Sequence, residues 1–383
     1  MAKTNFLMKD SINPRVLKEL AANIKKNYKS FDDKGFCSSI SRELKKLELK
    51  ERISLVTHSL NDYLPNQFEK AVAILLKSLP EELPNGSKDI EGYGSNMLDS
   101  LHGFIMISLT NYVAEYGITN YEVSMNALKI MTSRFSAEEA ARYFIQKYPS
   151  KTFKTYKKWC LDENMHVRRL VSESTRPRLP WTMQLPEFIE DPTPVLPFLE
   201  LLKNDKELYV RRSVANNLND ISKDNPDVVI KLLKKWSKDK SSEMQWLVKH
   251  ALRTLIKEGN SEALSIIGFH PDPAIKVQNL TLDSSTVNFG DSLIFKTKIK
   301  SLSDSDQWLM IDHVIHHMKA NGKLSPKVFK LKKIKLKAHE TIEINKSHPI
   351  KKITTREYYA GKHEVQLQIN GSRFPKKFFS LVI

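Results

Sequence analysis

A basic doublet recurs at one phase along the middle of the chain, and it constrains the fold more than any other feature. Val167-Arg168-Arg169-Leu170 returns as Val210-Arg211-Arg212-Ser213 and again as Val248-Lys249-His250-Ala251. The offsets are 43 and 38 residues (210 − 167 and 248 − 210). Periods of about 40–47 residues with a helix pair per unit point to a HEAT-like α-solenoid. Apolar residues continue each copy at helical spacing, Val214, Leu218 and Ile221 after the second and Leu252, Leu255 and Ile256 after the third. Stacked repeats would bury those positions and line the doublets into a basic stripe suited to phosphate. The charge balance agrees. Lys+Arg 61 against Asp+Glu 44 gives +17 in 383 residues. A surplus of that size favours a polyanionic partner, either nucleic acid or an anionic membrane surface.

Helical spacing also runs through the first 150 residues. It appears at Leu17, Leu20 and Ile24 after Pro14, at Ile53, Val56 and Leu60, and at Phe68, Val72, Leu75 and Leu76. Pro80, Pro84, Asn85 and Gly86 interrupt it. Three further helical patterns follow, Met97–Tyr116, Asn120–Thr132 and Ser136–Lys147, the last opening with Ser136-x-x-Glu139, a capping-box spelling. Beside it, Glu138 has an i,i+4 partner in Arg142. Near Gly268 the pattern stops, and Pro271 and Pro273 mark a linker. Period-two alternation then takes over. Leu293, Phe295, Thr297 and Ile299 alternate with Lys296, Lys298 and Lys300, and Val365, Leu367 and Ile369 repeat the pattern. Gln307–Met318 is a further strand, and Asn321-Gly322 and Asn370-Gly371 are turn signals. About seven short strands in about 110 residues fit an immunoglobulin-like sandwich, with Tyr358 and Tyr359 placed for a tyrosine corner. The expected chain is therefore mainly α, a HEAT-like repeat solenoid over 1–270 followed by a small all-β sandwich over 271–383. From 271 to 383 there are 20 Lys/Arg and 10 Asp/Glu, a net of +10, so the sandwich is expected to touch the partner too.

Several chemistries are not spelled in the sequence. Cys37 and Cys160 form no CxxC pair, and no Walker A loop, GxGxxG, GxSxG or HExxH occurs. His313, His316 and His317 are the one histidine cluster. On a strand the first and third share a face, and ordinary strand surface is the expected role rather than metal binding. The first residues lack the apolar core of a secretory signal, and no run of about 18 apolar residues spans a membrane. A cytosolic protein is expected.

The stretch from Trp159 to Trp181, WCLDENMHVRRLVSESTRPRLPW, concentrates the candidate chemistry. Val167, Leu170 and Val171 give a short helix one apolar edge, and Pro177 and Pro180 forbid its continuation. Glu173, Arg176, Arg178 and Trp181 then lie where a helix gives way to a stiff loop. A solvated basic loop with a core tryptophan is the purely structural alternative.

HVRRLVSESTRPRLPW resembles the hallmark segment of the AlkC-type DNA alkylation repair glycosylases, in the HEAT-like-repeat superfamily that also contains AlkD. TNYEVSMNALKIMTSRFSAEEAARYFI at 119–145 is similar to the helix pair before that segment. The strand region with VIHHMKANGKLSPKVFKLKK resembles the form carrying a C-terminal immunoglobulin-like domain. The resemblance implies base excision repair: hydrolysis of the N-glycosidic bond of cationic alkylated bases in double-stranded DNA, N3-methyladenine and small N-methyl lesions such as 3-methylcytosine. It implies a monomer in the bacterial cytosol, on the nucleoid when bound to DNA. It implies too that no metal or organic cofactor is needed and that the lesion does not swing into a deep pocket, unlike the usual flipped base, and no membrane partner is expected. Glu138 and Glu173 match the family's two acidic positions, implying stabilisation of an oxocarbenium-like sugar and handling of the attacking water. Trp181 would offer its π face to the cationic nucleotide, an attraction of roughly 0.5–2 kcal/mol. Arg169 and Arg176 match positions that pair phosphate or orient the acids. Arg168, Arg178, Arg211, Arg212, Lys249 and Arg253 are expected backbone contacts along the groove. The sequence departs from the family after Glu138, where Glu139-Ala-Ala-Arg142-Tyr143 stands in place of a bulkier residue and a nearby proline. Each site residue also has a structural reading: Trp181 as core, Glu173 as a salt-bridge partner of Arg169, Glu138 as a helix N-terminal charge. A non-catalytic HEAT scaffold binding DNA or an acidic protein is the competing function.

Overall fold

The computed structural model describes residues 7–86, 99–354 and 356–383. The chain packs as two compact units that divide after Asn225. The change from helix to strand comes later, between the helix Ser261–Ile266 and the strand Ile275–Val277. The four helices from Pro226 to Ile266 thus belong with the strands, so the division at 270/271 marks a change of secondary structure rather than the limit of a compact unit.

In the first unit the predicted periodicities become α1 (Pro14–Asn27), α3 (Leu49–Tyr63) and α4 (Phe68–Lys77), with α2 (Asp33–Glu43) between them. Asn13 caps α1 by accepting from the Arg15 and Val16 amides, with Pro14 preorganised at the first helical position. The pattern expected over Met97–Tyr116 forms a helix only as α5 (Ile105–Gly117); Met97 and Leu98 lie outside the described residues, and 99–104 are largely turn and bend. Next come α6 (Tyr121–Met131), α7 (Glu138–Lys147), α8 (Pro149–Trp159) and α9 (Met165–Ser174). Asn164 caps α9 through the His166 amide. After the short α10 (Pro186–Glu190) and α11 (Leu196–Leu202), α12 (Leu208–Ile221) carries the second doublet and packs on α9. The capping box spelled at Ser136 does not form. The helix starts at Glu138 with Ala137 at its cap, and the Ser136 hydroxyl instead accepts from Arg169.

In the second unit, α13 (Pro226–Trp236), α14 (Ser242–Ala251), α15 (Arg253–Glu258) and α16 (Ser261–Ile266) precede two sheets. One pairs β1 (Ile275–Val277) and β2 (Thr281–Leu282) with β4 (Ser292–Ser301), which also pairs β7 (Thr341–Pro349). The other runs β3 (Thr286–Asn288), β10 (Lys377–Val382), β8 (Gly361–Ile369), β5 (Gln307–Met318), β6 (Leu324–Leu336), with β9 (Ser372–Arg373) on β8. Phe295, Ile299, Ile311, Ile315, Leu367 and Phe379 are among the core between them. The alternation expected for β8 has no wet face. Glu364, Gln366 and Gln368 are buried too, Glu364 paired with Lys376 and Gln366 bonded to His316. Gln368 donates to the Lys257 carbonyl and Asn370 to that of His270. Gly259 and Gly371, both at positive φ, approach so closely that a Cβ on Gly259 would lie 2.7 Å from the Gly371 carbonyl oxygen.

The histidines of β5 are a correction to the expected strand surface. His313, His316 and His317 are buried, with His348 of β7 and His363 of β8 beside them. His313 Nε2 lies 3.1 Å from His348 Nδ1, Phe329 stacks on His313, and Arg356 and Lys346 face the group. Burial first, then those cations, pull His313 and His317 down to about 3 and His348 to about 4. The rings are neutral aromatic filling. Among the described residues no group of three or more His, Cys, Asp or Glu could hold a metal ion. Since the folded values lie below the ordinary 6.5, the stability they allow is complete above about pH 6.5. It drains away as the unfolded chain takes up protons between there and pH 3–4. Calorimetry is expected to show the sandwich transition falling between pH 7 and 4.5, and falling less in His317→Phe. A pH-independent transition would contradict neutral burial.

Candidate active-site cleft

The expected site residues of the first unit gather where α7, α9 and α12 meet. A cleft of about 410 Å³ is lined by Phe104, Phe135, Glu138, His166, Arg169, Trp181 and Tyr209 among others. Arg169 is its hub. Its guanidinium lies 5.0 Å from the centre of the Tyr209 ring, donates to Ser136 Oγ at 2.7 Å, and reaches Glu138 Oε2 at 3.3 Å and Glu173 Oε1 at 3.6 Å. One cation thus joins the two acids from separate helices. The i,i+4 pairing expected between Glu138 and Arg142 is absent, because Arg142 points the other way.

The two carboxylates differ in setting. Glu138, in the first turn of α7, lines the cleft and keeps part of its side chain in solvent. Burial, together with the negative charge of Glu173, raises its pKa above the ordinary glutamate value against the pull of Arg169. Glu173 is 4% exposed and lies behind the cleft wall. Burial opposes its ionisation too, yet Arg169 and Arg176 outweigh that and hold its pKa below the usual range. Arg176 Nη1 donates to Oε1 at 2.5 Å and Ser213 Oγ to Oε2 at 2.6 Å. The structural alternative for Glu173, a partner of Arg169, therefore describes its contacts, with Arg176 closer still. Arg176 also reaches Asp220, at 2.7 Å.

Trp181 is not core. It is 59% exposed, at the cleft mouth, its ring 6.3 Å from that of Phe104. Its φ of +67° lies in the left-handed region. For a bulky residue that costs about 1–3 kcal/mol, and it persists only where neighbours over-determine it. Arg142, fully buried, supplies much of that restraint. Its guanidinium donates to the carbonyls of Ser174 (2.9 Å) and Arg176 (2.7 Å), at the end of α9, and twice to that of Met183. It caps the helix that carries Glu173 and grips the loop on both sides of Trp181. The Leu185 amide closes the loop onto the Pro177 carbonyl at 3.0 Å. Arg142 thus ties the helix of one acid to the loop of the tryptophan.

The remaining arginines divide. Arg168 is buried, bonded to the carbonyls of Asp162 and Glu163 and forked onto Asp205. Arg211 repeats the arrangement one unit later, donating to the carbonyls of Asp205 and Lys206. The first basic residue of each of these doublets closes the turn before its own helix, so it is bound up in the repeat rather than turned to a stripe. The second members differ, with Arg169 in the cleft and Arg212 exposed. Arg178 forks onto Asp224 at 2.7 Å. In the second unit Lys249 is exposed, and Arg253 donates to the His250 carbonyl. Sequence reasoning missed Tyr209, Ser213, Asp220 and the role of Arg142. Ser213 did leave a trace, as a hydroxyl at the repeat position that Leu170 and Ala251 fill with apolar groups.

Residues 135–255 match the family described as DNA alkylation repair enzyme, and residues 276–383 the C-terminal Ig-like domain of protein YhaZ. The Bacillus subtilis protein YhaZ is 35% identical over 365 residues, covering 95% of this chain and 96% of that protein. Among solved structures, the Pseudomonas fluorescens alkylpurine DNA glycosylase AlkC, bound to DNA containing an abasic-site analogue, superposes with a TM-score of 0.89. The two are 34% identical, and the match covers 99% of this chain and all of that one. The chain belongs to the AlkC-type DNA alkylation repair family, in the form that carries a C-terminal immunoglobulin-like domain.

Proposed function

We propose that this chain is a DNA glycosylase that hydrolyses the N-glycosidic bond of cationic alkylated bases, N3-methyladenine and 3-methylcytosine, in duplex DNA. The observation that carries the reading is the pair of glutamates joined through Arg169 beside an exposed, backbone-restrained tryptophan. An N3-methylated base already bears positive charge. As the C1′–N bond breaks, the bond electrons neutralise the base, and an oxocarbenium-like sugar remains. Water adds to C1′ and gives up a proton, leaving an abasic site and a neutral free base. Glu138, at the cleft wall, orients that water and accepts the proton. Glu173 stays ionised behind Arg169 and Arg176, holding both guanidiniums in place and moderating their positive field next to a cationic sugar. Trp181 favours a cationic over a neutral base. Arg212 and Lys249, both exposed, are assigned to phosphate. Arg178 and Arg211 are engaged with Asp224 and the Asp205 turn and Arg253 with the His250 carbonyl, so each would reach phosphate only by exchanging that partner.

The test is release of identified bases from methylated duplex DNA by the purified chain with no added metal. DNA binding without base release, equal for damaged and undamaged duplex, would make it the scaffold instead. Trp181→Ala is expected to lower kcat/KM for N3-methyladenine about tenfold and to leave the affinity for undamaged duplex within twofold. Equal losses on both would assign the ring to general DNA binding.

A further inference from the structure

Trp181 is held from one more direction, by a residue far away in sequence. The Lys50 ammonium, on α3, donates a hydrogen bond to the Trp181 backbone carbonyl. Lys50 reaches it from the open side. With Leu7, Met8, Lys9, Glu48 and Leu49, it and Trp181 line a hollow of about 540 Å³ adjoining the cleft. Lys50 is itself exposed, so it can be replaced without disturbing the core. Its charge also favours the ionised form of Glu139, the neighbour of Glu138.

We infer that Lys50 is a positioning residue for Trp181, fixing the left-handed backbone that presents the ring to the cleft and thereby setting the preference for a cationic base. This rests on the glycosylase reading. Arg142 grips the loop at residues 174, 176 and 183, whereas Lys50 holds the carbonyl of the strained residue itself. A tryptophan at φ +67° relaxes toward negative φ once the groups fixing its two peptide planes let go. The ring then turns away from the bound lesion. The loss falls on the step in which the ring faces the cation, and only while Trp181 is there to be positioned. The N-terminal helices thus contribute to a site whose two glutamates, Arg169 and tryptophan come from residues 138–181.

The test is a double-mutant cycle on kcat/KM for N3-methyladenine release, using wild type, Lys50→Ala, Trp181→Ala and the double variant. Lys50→Ala is expected to cost about tenfold in the wild-type background and less than twofold in Trp181→Ala, with an unchanged melting temperature. Lys50→Arg, which can still donate to the carbonyl, should recover most of the loss. The same factor in both backgrounds would make Lys50 an independent phosphate contact and overturn the inference, as would full activity of Lys50→Ala. Either result leaves base release by the wild type intact, so the glycosylase reading stands or falls separately. A readout without substrate completes the test. The fluorescence anisotropy decay of Trp181, taken as the difference between wild type and Trp181→Phe, should report a freer ring in Lys50→Ala. An unchanged decay would also overturn the inference.

Discussion

Replacing Glu138 with Gln is expected to cut release of N3-methyladenine by about a hundredfold or more, the size typical of losing a general base. Gln keeps the volume and can still accept from Arg169, so folding should be little changed, but it cannot take a proton from water. The pH profile adds an independent check. A raised pKa means that Glu138 is protonated to a higher pH than an ordinary glutamate. Activity should therefore rise with pH through a midpoint above the usual glutamate value and then level off, and the rising limb should vanish in Glu138→Gln. Glu173→Gln should also be strongly impaired, for a different reason. It removes one of the two carboxylates paired with each of Arg169 and Arg176, leaving only Glu138 and Asp220 to balance these buried cations, so it should lower stability as well as rate. Undiminished release by both variants would exclude the proposed site.

Arg142→Met is expected to cost about 3–5 kcal/mol of stability. Two buried carbonyls, those of Ser174 and Arg176, lose their donor at about 1–3 kcal/mol each, the half-buried Met183 carbonyl loses less, and relief of the guanidinium's desolvation offsets part of that. For a unit of the size of Met1–Asn225 each kcal/mol moves Tm by about 2–4 °C, so a fall of roughly 10 °C in its transition is expected. Arg142→Lys should be nearly as harmful, because an ammonium cannot span carbonyls at the end of α9 and beyond Trp181 at once. A shift under about 2 °C in both variants would show that the loop holds itself.

Much of the architecture is legible in the sequence because helical and strand periodicities are local. The doublet repeat, the prolines that end α9 and the alternation after Pro273 each report a backbone conformation within a few residues. The candidate acids and Trp181 were legible through the family's motif. What the guanidiniums do was not. Arg168, Arg169, Arg176 and Arg142 look alike as sequence, yet one clamps its own turn, one joins the two acids, one fixes Glu173 and one caps a helix. The buried histidines of β5 escaped for the same reason, since burial depends on what covers a strand.

The sequence by itself determined the solenoid-plus-sandwich order and the family, and singled out the candidate acidic and aromatic residues. The tertiary structure decided that Glu138 faces the cleft while Glu173 stands behind Arg169, and that Trp181 is exposed on a loop pinned by Arg142 and Lys50. The physical reason is that a charged side chain takes its role from the partners that offset its desolvation. Those partners lie tens of residues away in the chain and meet only when the helices pack.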